Sequence, residues 1–485
     1  MDPVTLGIAV GWLSGRFIYH RWIEDWLFPP KVIRVAEEFQ IPKAREGDVI
    51  SLIYGQVRVN APVLSWMEAP EYNEVTDAYI MNMLFTLGIP FSDGVNAVTN
   101  MWAGDKKFFW NIAAPPGLFF AQGESADGTN LGAGLVEPLD GNPLQKLVED
   151  DGTHVKNIGA SMINAGLGAT TIPGYRGYTS IGLIGWQTSG RSNNLSAYGF
   201  ETSSYQLNHP RLGTFAKSGV DSNPVNVIHD LLTGTMGKLG LPESLIDMPS
   251  FEAAQWKLFS EGHGYSRAIS ELSSGEKVIQ EILRQIDAVL YEDPKTGKIG
   301  IKLIRNDYDP LTIPHINSTN CEDITNYAAG GWENLPNKIR ILFTNREDDY
   351  QDGTGNAQNL GAVDFTDFTV REQLIEMRGV TRQELADEIA ERELAARSRP
   401  IAKGTAIVDR SFMDVKQGDA VRVTWDNHHI DGLVFRVAAV DRGSRADGKI
   451  QLDLIQDYFY VWRNQSPKPT GLGGLATPPL TAFGG

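Results

Sequence analysis

"IPGYRGYTSIGLIGW", Ile172 to Trp186, and "LSAYGFE", Leu195 to Glu201 after a Ser/Gly/Asn turn, carry the pattern that decides the fold. Aromatic, hydroxyl-bearing and aliphatic residues favour extended chain. Glycines nevertheless interrupt the run at Gly174, Gly177, Gly182 and Gly185. A strand weakened at intervals reads as one that must bend and twist, so the stretch is expected to be the last hairpin of a β-rich unit from Val49 to about Leu207. The plainer alternative stays open, that these are loop glycines of an ordinary sandwich.

Upstream, "VISLIYGQVRVNAPVLSW" (Val49–Trp66) reads as two short strands around Gly55 and Asn60, and the following apolar runs separated by Gly, Asn and Asp suit a barrel or sandwich. The polar, Gly-rich span from Ala121 to Thr153 is expected to be an exposed loop. At the N-terminus, Leu6, Val10, Leu13 and Phe17 fall at helical spacing until Pro29-Pro30. Charged residues come too early for a membrane span, and the flanks are wrong for a secretory leader. This segment is either a helix packed on its own chain or an apolar arm that docks on a neighbouring subunit; Trp12, Trp22 and Trp26 are its interaction candidates.

Downstream the character changes. "NPVNVIHDLL" begins with an Asn cap and a Pro in the first turn. Ser273 with Glu276 predicts a capping box, and Val278, Ile279, Ile282, Leu283, Ile286, Val289 and Leu290 one helix face. "DPKTGK" is then a turn and "IGIKLIRND" a strand. In the last third, "NKIRILFTN" runs as a strand into an acidic loop, Thr381 with Glu384 predicts a second capping box, and Val421, Val423, Trp425 and Ile450, Leu452, Leu454 alternate as strands. The expected organisation is an N-terminal arm (1–46), a first β unit (47–215), an α/β helix–hairpin unit (216–325), a second β unit (326–462) and a Pro/Gly-rich linker (463–485). The fold class is α+β, β-rich and multidomain.

Composition narrows the function classes. Forty-three Lys and Arg against 60 Asp and Glu give a net charge of −17 in 485 residues, which disfavours tight binding to phosphate backbones. The single cysteine, Cys321, excludes an intrachain disulfide and any metal site built from several cysteines. Asp348, Asp349 and Asp352 approach a calcium loop, but Tyr350 and Asn359 stand where oxygen donors would be needed. His428-His429 reads as a hairpin turn, and "GLGATT" (Gly166–Thr171) as a loop. No residue is a candidate for catalysis, cofactor binding or metal ligation, so an enzyme is not expected.

Taken in order, "PGYRGYTSIGLIGW", "LSAYGFE", "NPVNVIHDLL", "GLPESLIDMPSFEAAQWKLFSEGHGYSRAIS" and "KVIQEILRQIDAVLYEDPKTGKIGIKLIRND" resemble the baseplate hub proteins of long non-contractile phage tails. That family includes the gene transfer agent hub and the N-terminal part of lambdoid tip attachment proteins, and is similar to the central hub of contractile tails. Its marks here are Phe200-Glu201 at the end of the return strand, Asp293 to Lys298 in the hairpin turn, and Gly418-Asp419 at a strand entrance. The hairpin turn Ser189–Leu195 and the acidic loop near Asp348 depart from the pattern. The resemblance implies two tube-like β-barrel domains with an α/β domain between them, assembled as a homotrimer that adapts a sixfold tail tube to a threefold tip. It also implies contacts with the tube, the distal tail protein, the tape measure protein and fibre or receptor-binding proteins, with DNA passing unbound through the lumen. The expected location is the distal end of a virion tail, after assembly in the host cytoplasm. Tyr175, Tyr178 and Trp186 join the interaction candidates. Two readings of other classes stay open, a β-rich cell-wall hydrolase and a carbohydrate-binding adhesin of a tail.

Overall fold

A computed structural model describes residues 50–60, 62–67, 71–73, 78–91, 95–103, 106–107, 109–111, 119–124, 130–139, 178–189, 198–235, 238–270, 275–331, 335–361, 369–443 and 448–459. The N-terminal arm, Tyr175 and the C-terminal linker lie outside them.

Two sheets enclose the first β core. One has the strand order Arg267–Ile269, Leu52–Val59, Tyr198–Tyr205, Val95–Ala103, Lys106–Lys107. The other runs Val63–Met67, Ala78–Gly88, Thr179–Ser189, Asn130–Leu139, Phe119–Glu124, Phe109–Asn111, with Glu71–Asn73 also on Ala78–Gly88. Period-2 alternation sends Val57, Val59, Met101 and Phe200 from one sheet against Met83, Phe85, Ile181 and Leu183 from the other. The sheets are stitched at one corner, where the Ile53 amide donates to Ile89 O (2.8 Å) and the Ile89 amide to Ser51 O (2.7 Å). A side chain at Gly88 would meet Ser51 O at 2.5 Å, so glycine permits this approach.

The opening stretch is not a hairpin. Thr179–Ser189 pairs with Ala78–Gly88 and Asn130–Leu139, whereas Tyr198–Tyr205 pairs with Leu52–Val59 and Val95–Ala103 in the other sheet. Both strands are flanked on each side, and Tyr198–Tyr205 is buried at every position, which a terminal hairpin would not achieve. The bend does exist. Leu183 to Trp186 faces Met83 to Met81, and Ile184 to Gln187 faces Leu135 to Ala133, so one extra residue bulges against both neighbours around Gly185. The expected loop beginning at Ala121 is likewise overturned at residues 121–124 and 130–139, where Phe119–Glu124 and Asn130–Leu139 pair as strands. Neighbouring strands supply the ladder that a Gly-rich sequence does not demand locally. Gly55 does not divide two strands either; at φ 67° it lies within Leu52–Val59, pressed against Tyr265 O.

The central unit holds α1 (Pro224–Thr233), α2 (Met248–Ser260), α3 (Gly275–Ile286) and the hairpin Ala288–Glu292/Ile299–Leu303. Asn223 caps α1 by accepting the Val225 amide at 3.1 Å. Ser273 lies outside the described residues. Val278, Ile279, Ile282 and Ile286 form the buried stripe of α3, but Val289 and Leu290 do not continue it. Asp287, at φ 50°, turns the chain, and those two residues belong to the following strand.

Beyond it, a six-stranded sheet runs His315–Ile316, Ala420–Trp425, Ile430–Asp441, Ile450–Gln456, Lys403–Val408, Cys321–Ala328. Its core takes Ile324, Val408, Val421, Val423, Phe435, Leu452 and Leu454, so the sheet curls round one apolar face. Its two edge strands, His315–Ile316 and Cys321–Ala328, come earlier in the chain than the other four. Between Cys321–Ala328 and Lys403 sits a fourth core, made by Lys338–Asn345, Gln351–Gln358, Glu372–Glu376 and α4 (Gln383–Arg397). The acidic loop is therefore short. Residues 346–350 turn, and "QDGTGNAQ" returns as a strand whose Gly353 and Gly355 lie under Phe343 and the α4 backbone at Ala386. The second capping box does not form: Arg382 occupies the cap of α4 without a side-chain bond, and the Thr381 hydroxyl goes elsewhere. The whole is a β-rich α+β protein of several cores.

Candidate functional site

Polar junctions join these cores, and the residues of the sequence motifs gather there. The Asp293–Lys298 turn and the Gly418-Asp419 entrance meet each other. Asp293 accepts the Lys295 amide at 2.9 Å and the Thr296 amide at 3.1 Å, which shapes the turn, and then takes Lys416 Nζ at 2.6 Å. The Lys416 ammonium holds the Asp293 carboxyl well below the usual carboxylate range, helped by the two amides. Lys302 pairs with Asp419, and Lys295 with Asp414 at 2.8 Å. Gly418 has φ 85°, and a Cβ there would stand 2.6 Å from Val289 Cγ2. The two motifs thus fasten the central hairpin to the curled sheet. Beside them Arg436 binds Asp457 at 2.7 Å and donates to Arg305 O at 2.5 Å.

A second junction brings three units together. Phe200 is buried in the first core, and its neighbour Glu201 accepts from Thr99 Oγ1 (2.5 Å), Asn100 Nδ2 and the Tyr350 hydroxyl (2.6 Å). Burial raises the Glu201 pKa, but these hydrogen bonds and one from Gln56 outweigh it and the net shift is downward. Asp221, 1% exposed, accepts from Ser266 Oγ (2.7 Å), Thr381 Oγ1 (2.9 Å) and Arg346 Nη2. Here is the hydroxyl missing from the α4 cap. A buried carboxylate is costly unless satisfied, and that demand outcompetes local capping.

The third junction is a buried ion pair. Lys238 Nζ lies 2.5 Å from Asp230 Oδ2 with both side chains 1% exposed, and the Tyr54 hydroxyl donates to the same oxygen at 3.0 Å. It ties α1 to the strand Leu52–Val59. Burial, then the Asp230 charge, pushes the Tyr54 hydroxyl well above its ordinary pKa.

The expected interaction aromatics are not brought together among the described residues. Trp12, Trp22, Trp26 and Tyr175 fall outside them. Tyr178 is half-buried at the entry to Thr179–Ser189, and Trp186 follows the bulge opposite Met81. Sequence reading passed over Trp256 and Phe259 on α2, which are 55% and 42% exposed, with Phe215 against Phe259 at 4.9 Å. Their i, i+3 spacing does not distinguish an outward from an inward face. His428 stacks on Tyr327 and reaches Ile324 O at 3.1 Å in a turn where His429 has φ 52°. One metal-like group occurs among the described residues, His209, His229 and Glu243. His209 Nδ1 accepts the Leu212 (2.9 Å) and Arg211 (3.2 Å) amides, which puts the ring proton on Nε2, the atom facing Glu243 at 3.5 Å. That hydrogen bonding suits a loop cap and does not suit a ligand.

The described residues thus form several cores, locked by charge at their seams. Residues 274–440 match the Phage-tail_3 family, "Putative phage tail protein". A chain of the virion of the native gene transfer agent (GTA) particle shares the fold, at 15% identity and TM-score 0.57, covering 94% of this chain and 97% of that one. Much weaker likenesses are the tail protein from Neisseria meningitidis (11% identity, TM-score 0.34, 84% and 98% covered) and the 43 kDa tail protein of prophage MuSo2 from Shewanella oneidensis (10%, 0.31, 84% and 95%), neither close enough to bear on the fold. Among curated proteins none matches. The tail-protein resemblance read from the sequence thus recurs in a family match over the middle of the chain and in a shared fold over nearly all of it.

Proposed function

We propose that this chain is the structural hub of a phage-type tail tip. In this reading three copies assemble around the tail axis and adapt a sixfold tube to a threefold tip, with the two β units (expected over 47–215 and 326–462) facing the channel through which DNA is ejected. The α/β unit (216–325) holds them in fixed relation, and the arm (1–46) and linker (463–485) reach neighbouring tail proteins: the distal tail protein and tube, the tape measure protein, and fibre or receptor-binding proteins. The role is structural and not enzymatic. The observation that carries it is the fold shared over 94% of the chain with a component of a gene transfer agent virion. The net charge of −17 suits a channel wall that repels passing DNA.

The test is immunogold electron microscopy with an antibody to residues 223–309, followed by averaging of labelled tips. Label at the distal tip with threefold order is the expected result. Label along the shaft, or protein free in the medium and absent from particles, overturns the reading.

A further inference from the structure

We propose that the module described over residues 337–361 and 369–398 is a flap, seated on the rest of the chain by a polar clasp and able to open as a body; this does not depend on the tail assignment. The module has its own apolar core, drawn wholly from residues 339–394. Its seat is polar. The Ser266 amide donates to Gly379 O at 2.9 Å, Arg392 reaches Gln285 O at 2.9 Å, and Arg382 reaches Gly262 O. Arg346 and Thr381 converge on Asp221, and Tyr350 on Glu201. Gly379 adds an apolar contact, its bare backbone resting on the Tyr265 ring. Polar interfaces of this kind between units within a chain permit relative motion by default.

The clasp is the turn 346–350. Asp349 and Tyr350 are consecutive residues at φ 46° and 65°, a left-handed conformation that side chains with a Cβ resist. The Gln351 amide closes this turn on Asp348 O at 2.9 Å, and two groups of the first β unit grip it from outside. Arg58 Nη1, itself over the Trp102 ring at 4.7 Å, approaches Asp349 O at 3.4 Å, and Glu201 holds the Tyr350 hydroxyl. On either side of the module the described chain comes together, since a Cβ at Gly330 would stand 2.5 Å from Ile401 N. Flanks that meet at one place allow the module to swing without unfolding either neighbour.

Native-state hydrogen exchange on the full chain tests this with two amides. The Ser266 amide crosses the seat to Gly379 O, while the Met377 amide bonds Leu342 O inside the module at 2.9 Å. In the wild-type protein the Ser266 amide exchanges at least tenfold faster than the Met377 amide, with a weaker urea dependence. Tyr350→Phe removes one charge-assisted bond from the clasp and speeds Ser266 exchange a further tenfold or so, leaving Met377 unchanged. One shared rate and urea slope for the two amides in wild-type protein overturns the flap, whether or not the variant folds. A Tyr350→Phe protein that leaves Ser266 unchanged, or speeds both amides equally, overturns the clasp.

Discussion

Replacing Lys238 by Met is the sharpest test of how the first β body is fastened to the helical unit. The ammonium lies 2.5 Å from Asp230 Oδ2, and both side chains are 1% exposed. The Tyr54 hydroxyl donates to that oxygen at 3.0 Å, and Pro90 O takes a second contact from Lys238 at 3.3 Å. Methionine fills the space of the stem and removes only the charge, so the buried Asp230 carboxylate loses the cation that faces it at 2.5 Å. Breaking a buried pair from one side costs about 3–5 kcal/mol. Removing both charges is a different experiment. Lys238→Met with Asp230→Leu and Tyr54→Phe removes the carboxylate together with its cation and its phenol donor and is expected within about 1 kcal/mol of wild type. The assay is exchange of the α1 amides against urea, which reads local stability in a chain of several cores where a single melting curve would not. A single variant that loses less than about 1 kcal/mol, or a triple variant as unstable as the single one, refutes the claim that charge compensation holds this junction.

Three further outcomes are expected. Gly418→Ala puts a Cβ 2.6 Å from Val289 Cγ2 on backbone at φ 85°, so exchange in Ala288–Leu303 and its seam should accelerate, with a loss of about 1–3 kcal/mol that Gly432→Ala, whose Cβ would meet Arg422 Cδ at an ordinary 3.9 Å, does not fully share. Burial, reinforced by Arg392 and Arg305, lowers His263 from 6.5 to about 4, so the unfolded chain binds its proton first; the contribution is complete above pH 6.5 and fades as pH falls to about 4, up to about 3 kcal/mol, which urea titrations of wild type and His263→Gln across that window measure. Burial pushes the Cys321 thiol up to about 11, so at pH 8 it should react with a disulfide reagent only when urea opens the curled sheet; prompt reaction in native protein would place it wrongly.

Where the chemistry of a residue acts on its own neighbours, the sequence alone determined the outcome. Asn223 and Pro224 start α1 because an extended cap with a side-chain acceptor precedes a helix-ready Pro. The turn at Asp293–Lys298 follows from an Asx acceptor and a glycine at φ 66°. Alternation in Ala420–Trp425 and Ile450–Gln456 fixes which side faces the core. The tail-protein resemblance was legible too, because its motifs keep their order along the chain. Partner choice was not. Thr179–Ser189 and Tyr198–Tyr205 look like a hairpin because they are adjacent in sequence, but pairing is decided by which other strands offer a free ladder and a complementary face. Thr381 looks like a cap, yet its hydroxyl serves Asp221, 160 residues away, because a buried carboxylate demands more than an exposed amide. Val289 and Leu290 extend a helical stripe on paper, while one left-handed residue at Asp287 turns them into a strand. The junctions could not be read at all, since Glu201 and Tyr350, or Lys302 and Asp419, become neighbours only when the cores are packed. Local preference is written residue by residue, and the satisfaction of buried charge belongs to the folded whole.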